Sequence, residues 1–295
     1  IPRVSIGLIV YNGENYLAQA IDSILAQTFT DFELIISDNA STDDTESICR
    51  KYASQDYRIR YYRAEQNHGA TWNHNHVIEL AQGEFFKLAA HDDVCEPRFI
   101  EVCVDALDNH PEAVLSYTDA KLIRDDYWGS QRLHEHSHFT ESLSASIRFR
   151  NMIADFQGFQ VFGCIRTHVL RCIKPFGSWK AADRLFIEEL SLQGTFVRVE
   201  EYIFVYRIHA LQSISMVDDP EQYHEWWTAS GSSKGIYPLW RFLRELTGMV
   251  NRAPLSIAER LRCYRHVMIW IILNRQSLWR EACNFRPALI TDDAL

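Results

Sequence analysis

The sequence predicts an α/β fold, a mostly parallel sheet flanked by helices with a helical C-terminal extension, and three observations predict it. Over roughly the first 115 residues, short apolar runs alternate with segments of helical period, which is the pattern of strands joined by crossover helices. Polar clusters close four successive strand-like runs, at the positions where open parallel sheets collect ligands. Beyond residue 215 the pattern reads as helical, interrupted by Asp218-Asp219-Pro220 and Ser230-Gly231-Ser232-Ser233 as breakers.

Each element follows in order. Val4 to Val10 is an apolar run fit for a buried strand, and Asn15 to Gln27 then places Leu17, Ala20, Ile21, Ile24 and Leu25 on one helical face. Phe32 to Ser37 reads as the second strand. Ser41-Thr42-Asp43-Asp44 supplies capping residues and early acids ahead of a helix through Ile48 to Ala53. Ile59 to Tyr62 is a third strand, Thr71 to Ala81 a helix ended by Gly83, and Glu84 to Leu88 a fourth strand. Pro97 stands at the first turn of a helix ending near Asp108, and Ala113 to Tyr117 is the fifth strand. The alternation then breaks. Residues 118 to 160 read as polar and irregular. After them Phe162 to Ile165, a helix from Asp183 to Gln193, and two short strands (Phe196 to Val199, Ile203 to Arg207) extend the same sheet.

Composition bounds the function. A chain of 295 residues with 47% hydrophobic residues can bury a full core, and a formal net charge of -9 argues against a nucleic-acid partner, which would meet excess Lys and Arg. The seven cysteines form no Cys-x-x-Cys and no paired cadence, so reduced thiols in a cytoplasmic chain are expected. The chain begins directly in a strand-like segment, without a leader pattern, and no apolar run approaches the ~20 residues of a membrane span.

The strand-end clusters are Tyr11-Asn12-Gly13-Glu14, Ser37-Asp38-Asn39-Ala40, Asn67-His68-Gly69 and His91-Asp92-Asp93. Taken singly each is weak: Asp92-Asp93 ahead of Pro97 reads equally well as a turn and helix start. Between and around them stand Gln27, Phe32-Glu33-Leu34-Ile35, Asp38, Ser41, Asp43, Thr45, Asn67, Gly69, Asn75, Ala81 and Gly83, in that order. Together these resemble the family 2 inverting glycosyltransferases, from Val4 to at least Ser213. The resemblance implies a GT-A type, Rossmann-like fold and sugar transfer from a nucleotide-sugar donor, in a setting such as polysaccharide biosynthesis. It divides the chain into a catalytic domain over 1–215, with a nucleotide-sugar-binding half at 1–117 and an acceptor-side half at 118–215, followed by the helical extension at 216–295.

The same resemblance implies the site. Tyr11, Asn12 and Glu14 would line the base and ribose pocket, with Asp38 bonded to base or ribose and Asn67, Gly69 and His91 also at the donor. Asp92 would ligate Mn²⁺ or Mg²⁺ bridging the diphosphate, a hard cation suited to a carboxylate. UDP is the default nucleoside diphosphate. Tyr206-Arg207-Ile208-His209, with Gln212-Ser213, is similar to a family ending that would put Arg207 beside the diphosphate and make His209 a second metal ligand. Asp183, at the start of its helix, matches the catalytic base; as a residue in its own right it serves equally as a helix cap. The chain departs from the family's pattern at Ala90, His91, Asn39, His74 and Ala182, with Ala90, Asn39 and Ala182 standing where acids are common.

For the acceptor, Trp179, Glu188, Trp226 and Trp227 are candidates, the tryptophans as stacking surfaces or as core. His134-Glu135-His136-Ser137-His138 reads as a solvated loop, because alternating histidines in an irregular stretch fix no metal geometry. Ser256 to Cys283 reads as one long helix with five arginines against two glutamates. It offers a peripheral contact at the inner face of a membrane, a homodimer seam, or a docking face on the main domain. The competing class is a non-catalytic nucleotide-sugar or glycan-binding module, which the alanines at 90 and 182 would suit. A dehydrogenase is disfavoured because no Gly-x-Gly-x-x-Gly follows a strand.

Overall fold

The computed structural model describes residues 1–124, 127–133, 141–154, 158–178, 182–209, 220–229 and 238–283. The chain runs β1 (Val4–Val10), α1 (Leu17–Leu25), β2 (Phe32–Asp38), α2 (Thr45–Gln55), β3 (Ile59–Arg63), α3 (Ala70–Leu80), β4 (Phe85–Ala90), β5 (Val94–Cys95) and α4 (Phe99–Asn109). It continues through β6 (Ala113–Arg124), β7 (Tyr127–Leu133), α5 (Ala145–Ala154), a 3-10 turn (Phe159–Phe162), β8 (Cys164–Arg166) and α6 (Thr167–Leu170). It closes with α7 (Ala182–Gln193), β9 (Thr195–Ile208), α8 (Pro220–Thr228), α9 (Pro238–Arg252) and α10 (Ile257–Cys283).

One mixed sheet carries the strands in the order β3-β2-β1-β4-β8-β6-β9-β5, with β7 paired to β6. β1 to β4 run parallel, as their two-faced burial requires, and helices cover both faces. α1 buries the predicted Leu17, Ala20, Ile21 and Ile24, the larger of which contribute about 1.5–3 kcal/mol each. Beyond β4 the pairing is mixed: β8 is antiparallel to β4 and β6, while β9 is parallel to β6.

Two expectations are corrected, and one strand is new. The region after Tyr117 is not irregular: β6 continues to Arg124, pairs with β7, and is followed by α5. Its apolar pattern fails because Asp119 is buried in mid-strand, where Arg198 satisfies it with bonds of 2.7 and 2.8 Å. α5 likewise buries Arg148, whose guanidinium donates to the carbonyls of Ser191 and Ser142 at 2.7 and 2.6 Å. The two short strands at 196–199 and 203–207 are one strand, β9, whose register with β6 shifts beside Asp119. The two-residue β5, which no sequence pattern announces, pairs antiparallel with β9 through Val94–Val205 and Cys95–Phe204. That short ladder pins the Asp92-Asp93 turn beside residues 206–209.

One hydrophobic core fills the face under α1, α2 and α4, and a second fills the face under α3 and α7. A third is shared by α5, α7, α9 and α10, through Phe149, Leu185, Leu192, Leu246, Val250 and Val267 among others. All seven cysteines are free. Among the described residues, no helix is long and apolar enough to cross a membrane. The His134 to His138 run, Trp179 and Gln212-Ser213 lie outside the described residues.

Candidate functional site

Because β1 to β4 are parallel, their carboxyl ends share one edge, and the four polar clusters meet there. A cavity of about 930 Å³ opens at that edge, walled by residues 9–13, Asn39, Asn67, α3, residues 90–93, the 3-10 turn, Asp183, Tyr206, His209 and α8. Residues as far apart in sequence as Tyr11 and Trp227 thus enclose one volume of the size that small-molecule ligands occupy.

The loop after β1 is held by the loop after β2. The amides of Asn12, Gly13 and Glu14 donate to Ser41 Oγ, Thr45 Oγ1 and Asp43 Oδ2 at 2.9, 2.9 and 3.1 Å. In return Asn12 Oδ1 accepts from the Thr42 amide at 2.9 Å and Glu14 Oε2 from the Asp44 amide at 3.0 Å. Asn12 (φ 52°) and Ala40 (φ 62°) sit in the left-handed region, a cost for the alanine that this double bracing sustains. At Gly13 a Cβ would fall 2.6 Å from His91 Cδ2, so only glycine lets the two loops approach. Tyr11 and Asn12 line the cavity, while Glu14 is not among its lining residues.

Asp38 is placed differently from the expectation. It is fully buried and outside the cavity wall: Oδ1 accepts from the Ser41 amide at 2.8 Å and Oδ2 from the Tyr61 hydroxyl at 2.7 Å. The neighbouring asparagines reach the wall instead. Asn39 Nδ2 donates to Asn67 Oδ1 at 2.9 Å, and Asn67 Oδ1 also accepts from the Gly69 amide at 2.8 Å. Asn73 donates to the Val10 carbonyl at 3.2 Å and leaves a buried Oδ1 without a partner on the cavity wall. His74 Nδ1 lies 2.7 Å from the Ala70 carbonyl, which fixes the proton on Nδ1, and burial pushes its pKa down to about 4. The imidazole is therefore neutral near pH 7.

Asp92 and Asp93 are both buried at the end of β4. Asp92 Oδ2 lies 2.9 Å from His209 Nε2, and the Asp92 carbonyl accepts from Arg207 Nε at 3.0 Å. Asp93 Oδ1 accepts from the Arg207 amide at 3.0 Å, while Oδ2 is buried without a partner. Burial, with the charge of Asp92 beside it, pushes the Asp93 carboxyl well up. Tyr16 lies between the Arg207 guanidinium, 4.7 Å from its ring centroid, and the His209 ring at 4.7 Å. Arg207 therefore braces the Asp92-Asp93 turn from outside the cavity, and its Nη2 is bonded to Gln19 Oε1 at 2.7 Å. Among the described residues no cluster of three or more His, Cys, Asp or Glu side chains is arranged to hold a metal. The Asp92 and His209 donors, with an orphaned carboxylate oxygen alongside, do fit a hard cation that completes its shell with phosphate oxygens and water.

Asp183, in the first turn of α7, lines the same cavity. Burial raises its carboxyl above the ordinary value, against the bonds from the Arg184 amide and its own. The preceding Ala182 belongs to the second core, so an acid at that position would be buried among apolar side chains. Glu188 is not at the site. It is fully buried, with Oε1 accepting from Arg184 Nε at 2.8 Å. Trp226 and Trp227 both line the cavity, their rings 4.8 Å apart at 78°, and Glu225 joins them there. The sequence reading did not single out Tyr16, Asn73 or Glu225. Tyr16 and Glu225 sit in no motif, and Asn73 adjoins His74, one of the positions that depart from the family's pattern.

The profile described as "Glycosyl transferase family 2" matches residues 5–173. An uncharacterized glycosyltransferase of Rickettsia typhi is 30% identical over 252 residues, covering 83% of this chain and 73% of that protein. The share of the curated relatives' own length that is matched varies widely, from 14% to 73% in two of them. Among solved structures, residues 1–349 of TarS from S. aureus in complex with UDP superpose with a TM-score of 0.56 at 17% identity, covering 96% of this chain and 93% of that one. The mannosyltransferase PcManGT from Pyrobaculum calidifontis, in complex with GDP-Man and Mn2+, gives 0.54 at 15% identity, covering 97% and 76%. These likenesses establish the GT-A type fold.

Proposed function

The chain belongs to glycosyltransferase family 2, and from that premise we propose that it transfers a sugar, with inversion, from a nucleoside-diphosphate sugar to a hydroxyl of a glycan, lipid-linked or small-molecule acceptor. The observation that carries this reading is the convergence of Asp92, His209 and Asp183 on one cavity. Tyr11, Asn12, Asn39, Asn67 and Asn73 supply the nucleotide end with donors and acceptors. UDP is the default base, with GDP and dTDP as competitors, and the complexes of TarS with UDP and of PcManGT with GDP-Man and Mn2+ support a donor of this class.

Asp92 and His209 would hold a divalent cation, which when bound supplies Lewis-acid stabilisation of the departing diphosphate. The chain's own residues account for the rest. Asp183 takes the proton from the acceptor hydroxyl as its oxygen bonds to the anomeric carbon and the bond from that carbon to the phosphate oxygen breaks. Burial that raises the Asp183 carboxyl makes it a better proton acceptor. Arg207 and Tyr16 hold the Asp92-Asp93 turn and His209 in register. Trp226 and Glu225 offer a stacking face and a hydrogen-bond acceptor for a sugar.

Donor turnover with UDP-sugars and Mn²⁺ tests the proposal. Wild type should release UDP in the presence of metal, and Asp183→Asn should bind nucleotide but fail to turn over. Nucleotide binding by wild type with no turnover of any donor would leave a nucleotide-sugar-binding module and sink the catalytic reading.

A further inference from the structure

α10 presents a face that nothing in the described structure covers. Its buried side chains are Cys263, His266, Val267 and Leu278, and Cys263 and Val267 share a core with side chains of α5 and α9. On the opposite side lie Ile257, Leu261, Met268, Ile272 and Trp279, spaced by four and seven residues, so they form one stripe along the helix. Leu261, Ile272 and Trp279 are 65%, 54% and 71% exposed, and Ile269 and Leu273 flank the stripe. Burial in solution would be worth most for residues of these types, and so many exposed on one helix mark an interaction surface.

The charges on this face have one sign. Arg265, Arg275 and Arg280 border the stripe and are exposed, and no carboxylate pairs with them among the described residues. Both acids of the helix are committed elsewhere: Glu259 accepts from the Ser146 amide at 2.8 Å and from Arg262, and Glu281 accepts from the Leu239 amide at 3.1 Å. A two-fold contact with a second copy would set this basic stripe against itself with no acid to answer it. An anionic surface answers both features, taking the apolar side chains while the arginines reach its headgroups. A helix too polar to cross a membrane can still lie along one.

We infer that the outer face of α10 docks the protein on an anionic lipid bilayer, with Leu261, Met268, Ile272 and Trp279 at the acyl boundary and Arg265, Arg275 and Arg280 at the phosphates. The inference stands apart from the transfer chemistry, since none of these residues lines the cavity.

Co-sedimentation with vesicles tests it. Wild type is expected to pellet with vesicles of one part phosphatidylglycerol to three parts phosphatidylcholine, to stay in solution with phosphatidylcholine alone, and to be released by salt. Replacing Arg265, Arg275 and Arg280 together by Gln should weaken binding roughly a hundredfold, at about fivefold per arginine. Ile272→Ser with Trp279→Ser should weaken it at least tenfold without moving the thermal midpoint, because both side chains are exposed. Equal binding to both vesicle types overturns the proposal. So does binding that needs the arginines but not Ile272 and Trp279, which is surface adsorption alone. Sedimentation equilibrium provides the remaining arm: a wild-type dimer in lipid-free buffer that the Ile272/Trp279 variant converts to monomer assigns the face to a second copy and overturns it as well.

Discussion

Under the proposed function two carboxylates at this site take different duties because their surroundings differ. Asp92 has an imidazole 2.9 Å away and faces the cavity, which suits a ligand, whereas Asp183 is raised by burial against two backbone amide bonds and the Arg184 charge, which suits a base. Asp183→Asn should therefore cut transfer by about 10²–10⁴-fold, the usual contribution of a general base, while leaving nucleotide affinity within error in a binding titration. The same burial fixes a pH profile. A base must be deprotonated, and its raised pKa moves the acid limb of the rate profile upward from the ordinary aspartate value of 3.8. Activity should rise with pH through that limb, and a limb that survives Asp183→Asn unchanged would assign it to another group. Asp92, His209 and Asp183 were legible as residues in matching motifs. Asp38 was read as a donor contact, yet in the structure its oxygens hold Ser41 and Tyr61. The Ser41 bond closes over the left-handed turn at Ala40, which has no sequence pattern of its own.

At the scale of elements, α8 reaches the cavity because Gly69 lets it. Gly69 adopts φ 82° and ψ 164°, a region essentially closed to other residues, and a Cβ there would fall 2.5 Å from the Trp227 carbonyl. Gly69→Ala should lose on the order of 1–3 kcal/mol in chemical denaturation and should weaken donor binding by displacing Trp226 and Trp227. A variant with unchanged stability and affinity would show that this contact does not seat α8. In α7, Glu188 has an unpartnered buried Oε2 beside the Arg184 bond, and burial lifts its pKa from 4.5 to about 7. Between those values the folded protein keeps a proton that the unfolded chain releases, so this contribution is complete below pH 4.5 and is lost as pH rises through 7. Relative to Glu188→Gln, wild type should lose about 3 kcal/mol across that window in pH-dependent denaturation. Equal slopes for the two proteins would mean the carboxylate is ionised throughout. β1 to β4 and α1 to α4 were legible because their apolar spacing is regular. β6 past Tyr117, α5 and β5 were not, since buried ionic residues such as Asp119 and Arg148 interrupt the pattern and a two-residue strand has none.

Across the whole molecule, the C-terminal helices and the catalytic layer share a core. Phe149, Leu185 and Leu192 pack on side chains of α9 and α10, and α7, which presents Asp183, lies between them and the sheet. Removing residues from 238 onward would expose those three side chains at about 1.5–3 kcal/mol each, a sum comparable with the stability of an ordinary domain. The truncated chain should lose its cooperative melt and near-ultraviolet circular dichroism. A native-like melt would show that the helices form an independent unit. The helical character of this region was readable from its period, but its partnership with α7 was not, because periodicity gives a face without saying what it meets. The central claim concerns the cavity where both halves of the sheet converge: a nucleotide sugar binds there through a cation held at Asp92. Isothermal titration of UDP into wild type and Asp92→Ala, each with Mn²⁺ and with a chelator, tests it most directly. Binding by wild type that requires Mn²⁺ and disappears in Asp92→Ala is the expected result; UDP affinity indifferent to chelator and to the loss of Asp92 would contradict it.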